Sequence, residues 1–228
     1  MNILLVAATW MEVNLLVDEL EKTGEKSHLF KEYKLGEIDI DILIAGIGTT
    51  FTTFQLTNIL KDKKYNLVMN VGIAGSLTRE LKIGEVVNVV YDEFADLGIE
   101  TQTEFLTLFE AGFMNINEYP FENGVLKATH SNGWIGLKKV RGVTTNRSHG
   151  NKSSIAALHN KYTAHTESME GAAVFYVCKW MGVDCYQVRS ISNYVEPRDS
   201  SKWNIPLALE NLKESVLQLL KNATVAVY

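Results

Sequence analysis

The stretch 167–199 reads ESMEGAAVFYVCKWMGVDCYQVRSISNYVEPRD, an apolar helix-forming run followed by a strand-forming one. Glu170 opens the helical run beside three small residues at 171–173, and the strand CYQVRSIS ends at Asn193. A helix that leads into an apolar strand is typical of an α/β sheet, in which ligands bind where strands end and helices begin. The stretch therefore places a carboxylate and a carboxamide at the two kinds of element end that form binding sites.

The chemistry of these two side chains favours a nucleoside as the ligand. A carboxylate at Glu170 can accept hydrogen bonds from both vicinal hydroxyls of a ribose, and a carboxamide at Asn193 offers a donor and an acceptor to the edge of a purine. Each residue also has a structural explanation, because an acid in the first helical turn stabilises the helix dipole and an asparagine favours the turn after a strand. The two together predict a nucleoside site.

Apolar strand signals alternate with helical periodicity along the chain. The strand signals lie at 3–6, 38–45, 66–72, 85–90 and 185–191, and the helical ones at 11–22, 52–62, 152–161, 169–181 and 206–221. This alternation predicts a largely parallel sheet covered by helices on both faces. Since no Pro/Ser-rich linker divides the chain, we expect residues 1–228 to form a single α/β domain.

Composition argues against several classes of partner. The net charge is −5 and there is no long basic run, so we expect no contact with nucleic acid. The apolar start, MNILLVAA, lacks a basic region and is too short for a membrane helix, which favours a buried first strand and no membrane contact. Cys178 and Cys185 form no CxxC pair, so we expect reduced thiols in a cytoplasmic protein.

Three strand ends carry glycine-rich loops, at 45–50, 72–76 and 146–151. The Gly-x-Gly at 46–48 has Phe51 where a dinucleotide fingerprint has its third glycine, which argues against a dinucleotide. The loop at 72–75 lets backbone amides approach a ligand closely. The histidines at 28, 130, 149, 159 and 165 lack metal-ligand spacing, so we expect neither a metal nor another cofactor.

Five motifs spread over the chain together carry a family resemblance. They are AlaAlaThrTrpMetGluVal at 7–13, AlaGlyIleGly at 45–48, AsnValGlyIleAlaGly at 70–75, SerMetGluGly at 168–171 and ValArgSerIleSerAsn at 188–193. With them the chain resembles the nucleoside phosphorylase and nucleosidase superfamily, and SerAsnTyrValGluProArgAsp at 192–199 is most similar to the futalosine hydrolases. The resemblance implies an α/β domain with a central mixed, twisted sheet flanked by helices. It also implies hydrolysis of futalosine to hypoxanthine and dehypoxanthine futalosine in menaquinone biosynthesis.

The resemblance also assigns roles to individual residues. It implies that Glu12 activates water, that Met169 and Glu170 hold the ribose, and that Asn193 contacts the departing purine. The substrate-binding residues expected from the glycine loops are Ile47, Ile73, Ala74 and Gly75. From the residues alone, Glu12 is better explained as a dipole-stabilising acid, and Met169 is equally explained as a core methionine.

Residue types then favour one base and one nucleophile. A 6-oxopurine presents an acceptor at O6 and, once protonated at N7, a donor, and the carboxamide of Asn193 matches both. No arginine stands in the first loop or just before Gly72, and a phosphate dianion without a cationic clamp is costly to desolvate. Water is therefore the expected nucleophile. The alternatives are an adenine-releasing nucleosidase acting on methylthioadenosine or aminodeoxyfutalosine, a phosphorylase, and a non-catalytic nucleoside-binding module.

The sequence also offers candidates for two further contacts and predicts the assembly. The loop at 146–151 has no Phe or Tyr to stack on a purine, for which His149 and Tyr194 are candidates. Arg147 and Arg198 are candidates for the cation that meets the carboxylate on the 5′ side of futalosine. The irregular, aromatic segment 100–124 and the family resemblance together predict a homodimer or higher homo-oligomer.

Overall fold

The computed structural model describes residues 1–129 and 136–225. The strands are β1 (Asn2–Ala7), β2 (Glu21–Ser27), β3 (Phe30–Leu35), β4 (Ile38–Ile44), β5 (Leu67–Ser76), β6 (Val86–Asp92), β7 (Gly98–Glu100), β8 (Phe105–Thr107), β9 (Leu126–Lys127), β10 (Lys138–Thr144), β11 (Thr166–Ser168) and β12 (Cys185–Tyr194). The α-helices are α1 (Asn14–Val17), α2 (Thr49–Asp62), α3 (Lys152–Lys161), α4 (Gly171–Met181) and α5 (Ile205–Val225), with 3₁₀ turns at Trp10–Glu12 and Ser200–Lys202.

The main sheet is mixed, in the order β11-β10-β6-β12-β5-β1-β4-β3-β2. Its centre is parallel, because β1 pairs with β4 and β5, and β5 pairs in parallel with β12. Antiparallel pairs join β12 to β6 and add β3 and β2 at the edge. β11 pairs with both β10 and β5, so that β5, β12, β6, β10 and β11 close into a ring. Because β1, β5 and β12 run parallel to one another, their carboxyl ends lie at the same edge of the sheet.

Helices cover both faces of the central strands, as the alternating pattern predicts. On one face α1 and α5 pack through Leu16, Leu212 and Val216 against the buried β1 and β4 isoleucines. On the other face α2 and α4 pack through Leu56 and Phe175. Burial of these apolar side chains stabilises the fold by roughly 1.5–3 kcal/mol each. An α/β domain with a mixed central sheet flanked by helices is thus confirmed; the boundaries 1–228 stay a prediction.

The predicted helix at 11–22 is wrong over its second half. The chain forms a 3₁₀ turn and the four-residue α1, then pairs residues 21–27 with β3 as an antiparallel edge strand. The apolar period at Leu15, Leu16 and Leu20 is helical, but so short a helix is marginal without a partner. Pairing with β3 supplies backbone hydrogen bonds that outweigh the helical preference of this segment.

The expected largely parallel sheet is also only half right. The predicted strands and the other predicted helices form within a few residues of their expected limits, and α3 spans Lys152–Lys161 as predicted. The antiparallel strands β2 and β3 were not predicted, and neither was β10, which pairs in parallel with β6 and β11. The residues of all three strands are partly exposed and polar. None of the helices in the described ranges is long and apolar enough to cross a membrane. Cys178 and Cys185 are both buried and free.

Candidate active site

The predicted site residues meet at the shared edge of β1, β5 and β12. Glu12 ends the 3₁₀ turn that follows β1, and its Oε1 accepts a hydrogen bond from the backbone N–H of Ile73 on β5 at 3.0 Å. Glu170 precedes α4, and its Oε1 accepts from the N–H of Gly48 at 3.0 Å. Asn193 pairs in register with Gly75. The structure therefore brings the two carboxylates, the glycine loops at 45–50 and 72–76 and the carboxamide to one place.

Backbone amides hold the carboxylate of Glu12 in place. Besides Ile73, the N–H groups of Ala8 and Thr9 donate to its Oε2 at 2.9 and 3.2 Å. Burial raises the pKa of Glu12, while the nearby Arg189 lowers it and the negative charge of Glu170 raises it again. A raised pKa makes this carboxylate a better proton acceptor than an ordinary surface glutamate.

A buried arginine, to which no sequence feature assigned a role, lies between the two carboxylates. The Nη2 of Arg189 is 3.8 Å from Oε2 of Glu170, and the side chain is 1% exposed. Its three guanidinium nitrogens have no hydrogen-bond partner in the described part of the chain. A Cβ at Gly72 would collide with Nη1 of Arg189 and lie 2.5 Å from Oε1 of Glu12. Gly72 is therefore required by the close approach of these two side chains.

Beneath this cluster, a chain of buried polar groups runs to the start of α4. Asn70 donates to Gln187 at 3.0 Å, and Gln187 donates to Oδ2 of Asp92 at 2.9 Å. Thr144 donates to Oδ1 of Asp92 at 2.9 Å and accepts from the N–H of Ala172 at 2.8 Å. Burial raises the pKa of Asp92 to about 6, against the lowering effect of these hydrogen bonds.

This network explains the residues at the start of α4. Gly171 is small because a Cβ there would meet Asp92 and lie 2.5 Å from Gln187. Ser168 ends β11, and Glu170 takes the capping position of α4. The Ser168 hydroxyl accepts from the N–H of Gly171 at 3.4 Å.

Asn193 retains hydrogen-bonding capacity at the end of β12. Its amide nitrogen donates to the carbonyl of Tyr194 at 3.0 Å, and its amide oxygen accepts from Ser192 at 2.8 Å. An amide has two N–H groups and two lone pairs, so one of each remains. The side chain borders a cavity of about 210 Å³ that is also lined by Arg79, Ile83, His149, Tyr194, Glu196, Arg198, Asp199, Lys202 and Trp203.

The candidates for purine stacking and for the 5′ cation differ in whether they line the cavity beside Asn193. His149 and Arg198 both line the cavity beside Asn193, whereas Arg147 is exposed. The ring of Tyr194 faces the guanidinium of Arg79, 3.9 Å from the ring centroid. Arg198 therefore lies on the same cavity as Asn193, and a role for Arg147 or Arg198 on the 5′ side stays a prediction.

The remaining predicted binding residues lie around the carboxylates. Ala74 is buried and Met169 is half-buried, whereas Ile47 is 54% exposed. Beyond Gly48, an apolar cavity of about 520 Å³ continues from Thr49 past Phe54 to Phe109. Among the described residues, no group of three or more His, Cys, Asp or Glu side chains could hold a metal ion. His130 lies outside the described ranges.

Comparison with known proteins places this arrangement in a family. Residues 2–221 match the family model of the phosphorylase superfamily, and the chain belongs to that superfamily. Within it, the chain is 32% identical over 185 residues to a futalosine hydrolase of Streptomyces coelicolor, a match that covers 78% of this chain and 77% of the relative. The resemblance to futalosine hydrolases that the sequence motifs indicate is thereby confirmed.

Solved structures share the fold at lower identity. A futalosine hydrolase of Helicobacter pylori superposes with a TM-score of 0.79 at 20% identity, covering 99% of this chain and 98% of that one. A 5′-methylthioadenosine/S-adenosylhomocysteine nucleosidase of Neisseria meningitidis, in complex with methylthio-immucillin-A, superposes with a TM-score of 0.80 at 17% identity, covering 96% and 98%. At these identities the likeness concerns the fold alone.

Proposed function

We propose that the protein hydrolyses the N-ribosidic bond of futalosine, releasing hypoxanthine and dehypoxanthine futalosine for menaquinone biosynthesis. It is a hydrolase of N-glycosyl bonds that needs no cofactor for this reaction. The observation that carries the proposal is the grouping of Glu12, Arg189 and Glu170 at the strand edge that ends in Asn193. The kinship with the futalosine hydrolases supports this choice of nucleoside.

Glu12 is the group that activates water. Cleavage of an N-ribosidic bond builds positive charge on the sugar and negative charge on the base, so a carboxylate near the sugar stabilises the transition state. The Glu12 carboxylate is fixed by three backbone amides, and its raised pKa suits it to take a proton from water. The unpaired nitrogens of Arg189 are donors that can orient the oxygen of that water.

Water is favoured over phosphate even though an arginine lies in the site. Arg189 has the Glu170 carboxylate at 3.8 Å and influences Glu12 electrostatically. The two carboxylates offset its single positive charge, and a phosphate dianion placed there would face both of them. A neutral water molecule meets no such repulsion.

Glu170 and Asn193 bind the two halves of the nucleoside. The Oε2 of Glu170 faces Arg189 and its Oε1 accepts from Gly48, and these contacts orient the carboxylate toward the ribose hydroxyls. Met169 and the loop Ile73–Gly75 flank the sugar. Asn193 offers its remaining donor and acceptor to the departing purine, where negative charge develops.

A second copy of this chain completes the 5′ side of the site. Three aromatic side chains stand on the surface near the 520 Å³ cavity: Phe51, Phe54 and Phe113 are 63%, 64% and 72% exposed. Large exposed apolar patches mark interaction sites, and symmetric dimers are the commonest soluble assembly. Because this surface starts next to Gly48, a partner seated on it would border the substrate. A cytoplasmic location stays a prediction.

A substrate panel tests the proposed activity. Purified protein is mixed with futalosine, inosine, methylthioadenosine and aminodeoxyfutalosine, each with and without phosphate, and the released base is quantified. We expect hypoxanthine from futalosine without phosphate. Release of adenine with a higher specificity constant than that for hypoxanthine release would favour the adenine-releasing alternative. Strict dependence on phosphate would make the protein a phosphorylase. No release of base from any of the nucleosides would indicate a binding module.

A further inference from the structure

His149 and Glu167 form a buried pair at the cavity beside Asn193. The Nδ1 of His149 lies 2.6 Å from Oε2 of Glu167, and both side chains are 5% exposed. The other oxygen of Glu167 accepts a hydrogen bond from the backbone N–H of His149 at 3.0 Å. Glu167 therefore engages His149 twice, once at the backbone and once at the ring.

This double contact fixes the tautomer of the histidine. A carboxylate has acceptors alone, so the hydrogen between the two groups belongs to Nδ1 of His149. In a neutral ring, Nε2 then carries a lone pair and accepts hydrogen bonds. No other residue of the described ranges bonds to Nε2. The ring lines the cavity that Asn193 borders, so this acceptor is available to a ligand there.

The cavity combines this acceptor with a neighbouring donor. Arg198 donates its backbone N–H to the carbonyl of Gly150 at 3.0 Å, which brings it next to His149 in space. Its guanidinium lies over Trp203 at 5.0 Å and has no carboxylate partner in the described part of the chain. At about 210 Å³ the cavity is smaller than a typical pocket of ~300–1,000 Å³ for a whole ligand, and suits one end of a ligand.

We propose that Glu167 positions His149 as an acceptor for the N1–H of a 6-oxopurine, and that Arg198 donates to the O6 of the same base. Hypoxanthine has a hydrogen on N1 and an oxygen at position six, whereas adenine has a lone pair on N1 and an amino group at position six. Both contacts therefore match hypoxanthine and oppose adenine. This assignment rests on the proposed function, since it takes the cavity beside Asn193 as the site of the leaving base.

Glu167→Gln is the sharpest test, because it reverses the tautomer without removing the ring. The oxygen of the new amide can still accept from the backbone N–H of His149, while its NH₂ donates to Nδ1. The Nε2 must then carry the hydrogen and become a donor, which suits the N1 of adenine. Loss of a matched hydrogen bond in a buried site typically changes affinity by about 10-fold or more.

The measurement is the pair of dissociation constants for free hypoxanthine and free adenine, by calorimetry on the full chain. We expect the wild type to prefer hypoxanthine and Glu167→Gln to reduce that preference by about 10-fold or more. Glu37→Gln, at an exposed turn away from the cavity, is the matched control and should keep the wild-type ratio. His149→Leu should weaken hypoxanthine binding without strengthening adenine binding.

The outcomes separate this inference from the proposed function. The role of the His149–Glu167 pair is overturned if folded Glu167→Gln keeps the wild-type base preference. It is also overturned if the wild type binds the two bases equally or binds neither of them. If the wild type hydrolyses futalosine but the base preference of Glu167→Gln is unchanged, the proposed function is retained and this inference is rejected. Conversely, a wild type that does not cleave futalosine but shows the expected change in base preference would retain this inference and reject that substrate.

Discussion

The guanidinium of Arg189 and the carboxylate of Glu170 lie 3.8 Å apart, Nη2 to Oε2, in a part of the sheet closed to solvent. Neither charge is neutralised by solvent, so the guanidinium depends on the carboxylates of Glu170 and Glu12, and these two like charges depend on the guanidinium. This relationship explains how three charged side chains coexist at one strand edge. It also makes Arg189 the residue whose removal should affect both stability and catalysis.

Replacing Arg189 by methionine should lower stability and shift the pH dependence of activity. Removal of one partner of a buried ion pair typically costs about 3–5 kcal/mol, because the remaining charge is uncompensated. Arg189 lowers the pKa of Glu12, so its loss should raise that pKa further and move the acid limb of the kcat/KM profile to higher pH. Denaturant unfolding and a pH–rate profile measure the two effects. An acid limb that stays in place would show that Glu12 does not control it.

Asp92 should make the protein less stable as the pH rises through its folded pKa. Burial raises that pKa from 3.8 to about 6, so the folded state binds more protons than the unfolded state between these values. Stability then falls with rising pH over that window, by about 3 kcal/mol in total from this group. Between pH 4 and 7, the free energy of unfolding should fall less steeply with rising pH in Asp92→Asn than in the wild type. Equal slopes would contradict the proton uptake assigned to Asp92.

How far the sequence predicts this site depends on how local each signal is. Glu170 and Asn193 were predicted because each adjoins an element end that periodicity and small residues reveal, whereas the role of Glu12 was predicted from the family resemblance. Arg189 was missed although it interrupts an apolar strand, a pattern that already indicates a buried charge in need of partners. Those partners come from β1 and α4, and only the sheet order brings them together.

The same limit applies to the parts of the fold that were mispredicted. The segment 21–27 is polar and exposed, and it is a strand because β3 lies beside it. Likewise the His149–Glu167 pair joins a loop to the short β11, and nothing in the spacing of the two residues indicates that their side chains meet. Periodicity reports which residues of one element face the core, whereas contacts between elements follow from the tertiary arrangement.

Asn193→Asp should change base preference and weaken the end of β12. The Asn193 amide donates to the carbonyl of Tyr194, and an ionised aspartate would place two oxygens in repulsive contact there. The variant also loses the donor for O6, so activity on 6-oxopurine nucleosides should fall relative to 6-aminopurine ones. A site built on hydrogen bonds can reject a mismatched analogue by up to ~10⁴–10⁵-fold. The ratio of the two specificity constants is the measurement, and a ratio that does not move toward the aminopurine would remove Asn193 from base recognition.

Phe54→Glu should dissociate the proposed dimer. Phe54 is 64% exposed and lines the 520 Å³ cavity, so a charge there would be desolvated on association. Sedimentation velocity should show a dimer for the wild type and a monomer for the variant. Leu15→Glu is the control, since Leu15 is 39% exposed on α1, on the opposite face of the sheet, and should leave the dimer intact. A wild type that is monomeric and fully active at micromolar concentration would contradict the proposal.

The central claim is that Glu12 activates water for the cleavage of futalosine, and Glu12→Gln tests it most directly. The amide keeps the shape of the side chain and one acceptor for Ile73, but it cannot take a proton. The measurement is the single-turnover rate of hypoxanthine release from futalosine without phosphate, with the substrate dissociation constant determined in parallel. We expect the rate to fall by ~10²–10⁴-fold while binding stays within a few-fold of the wild type. A variant that releases hypoxanthine at the wild-type rate would contradict the account.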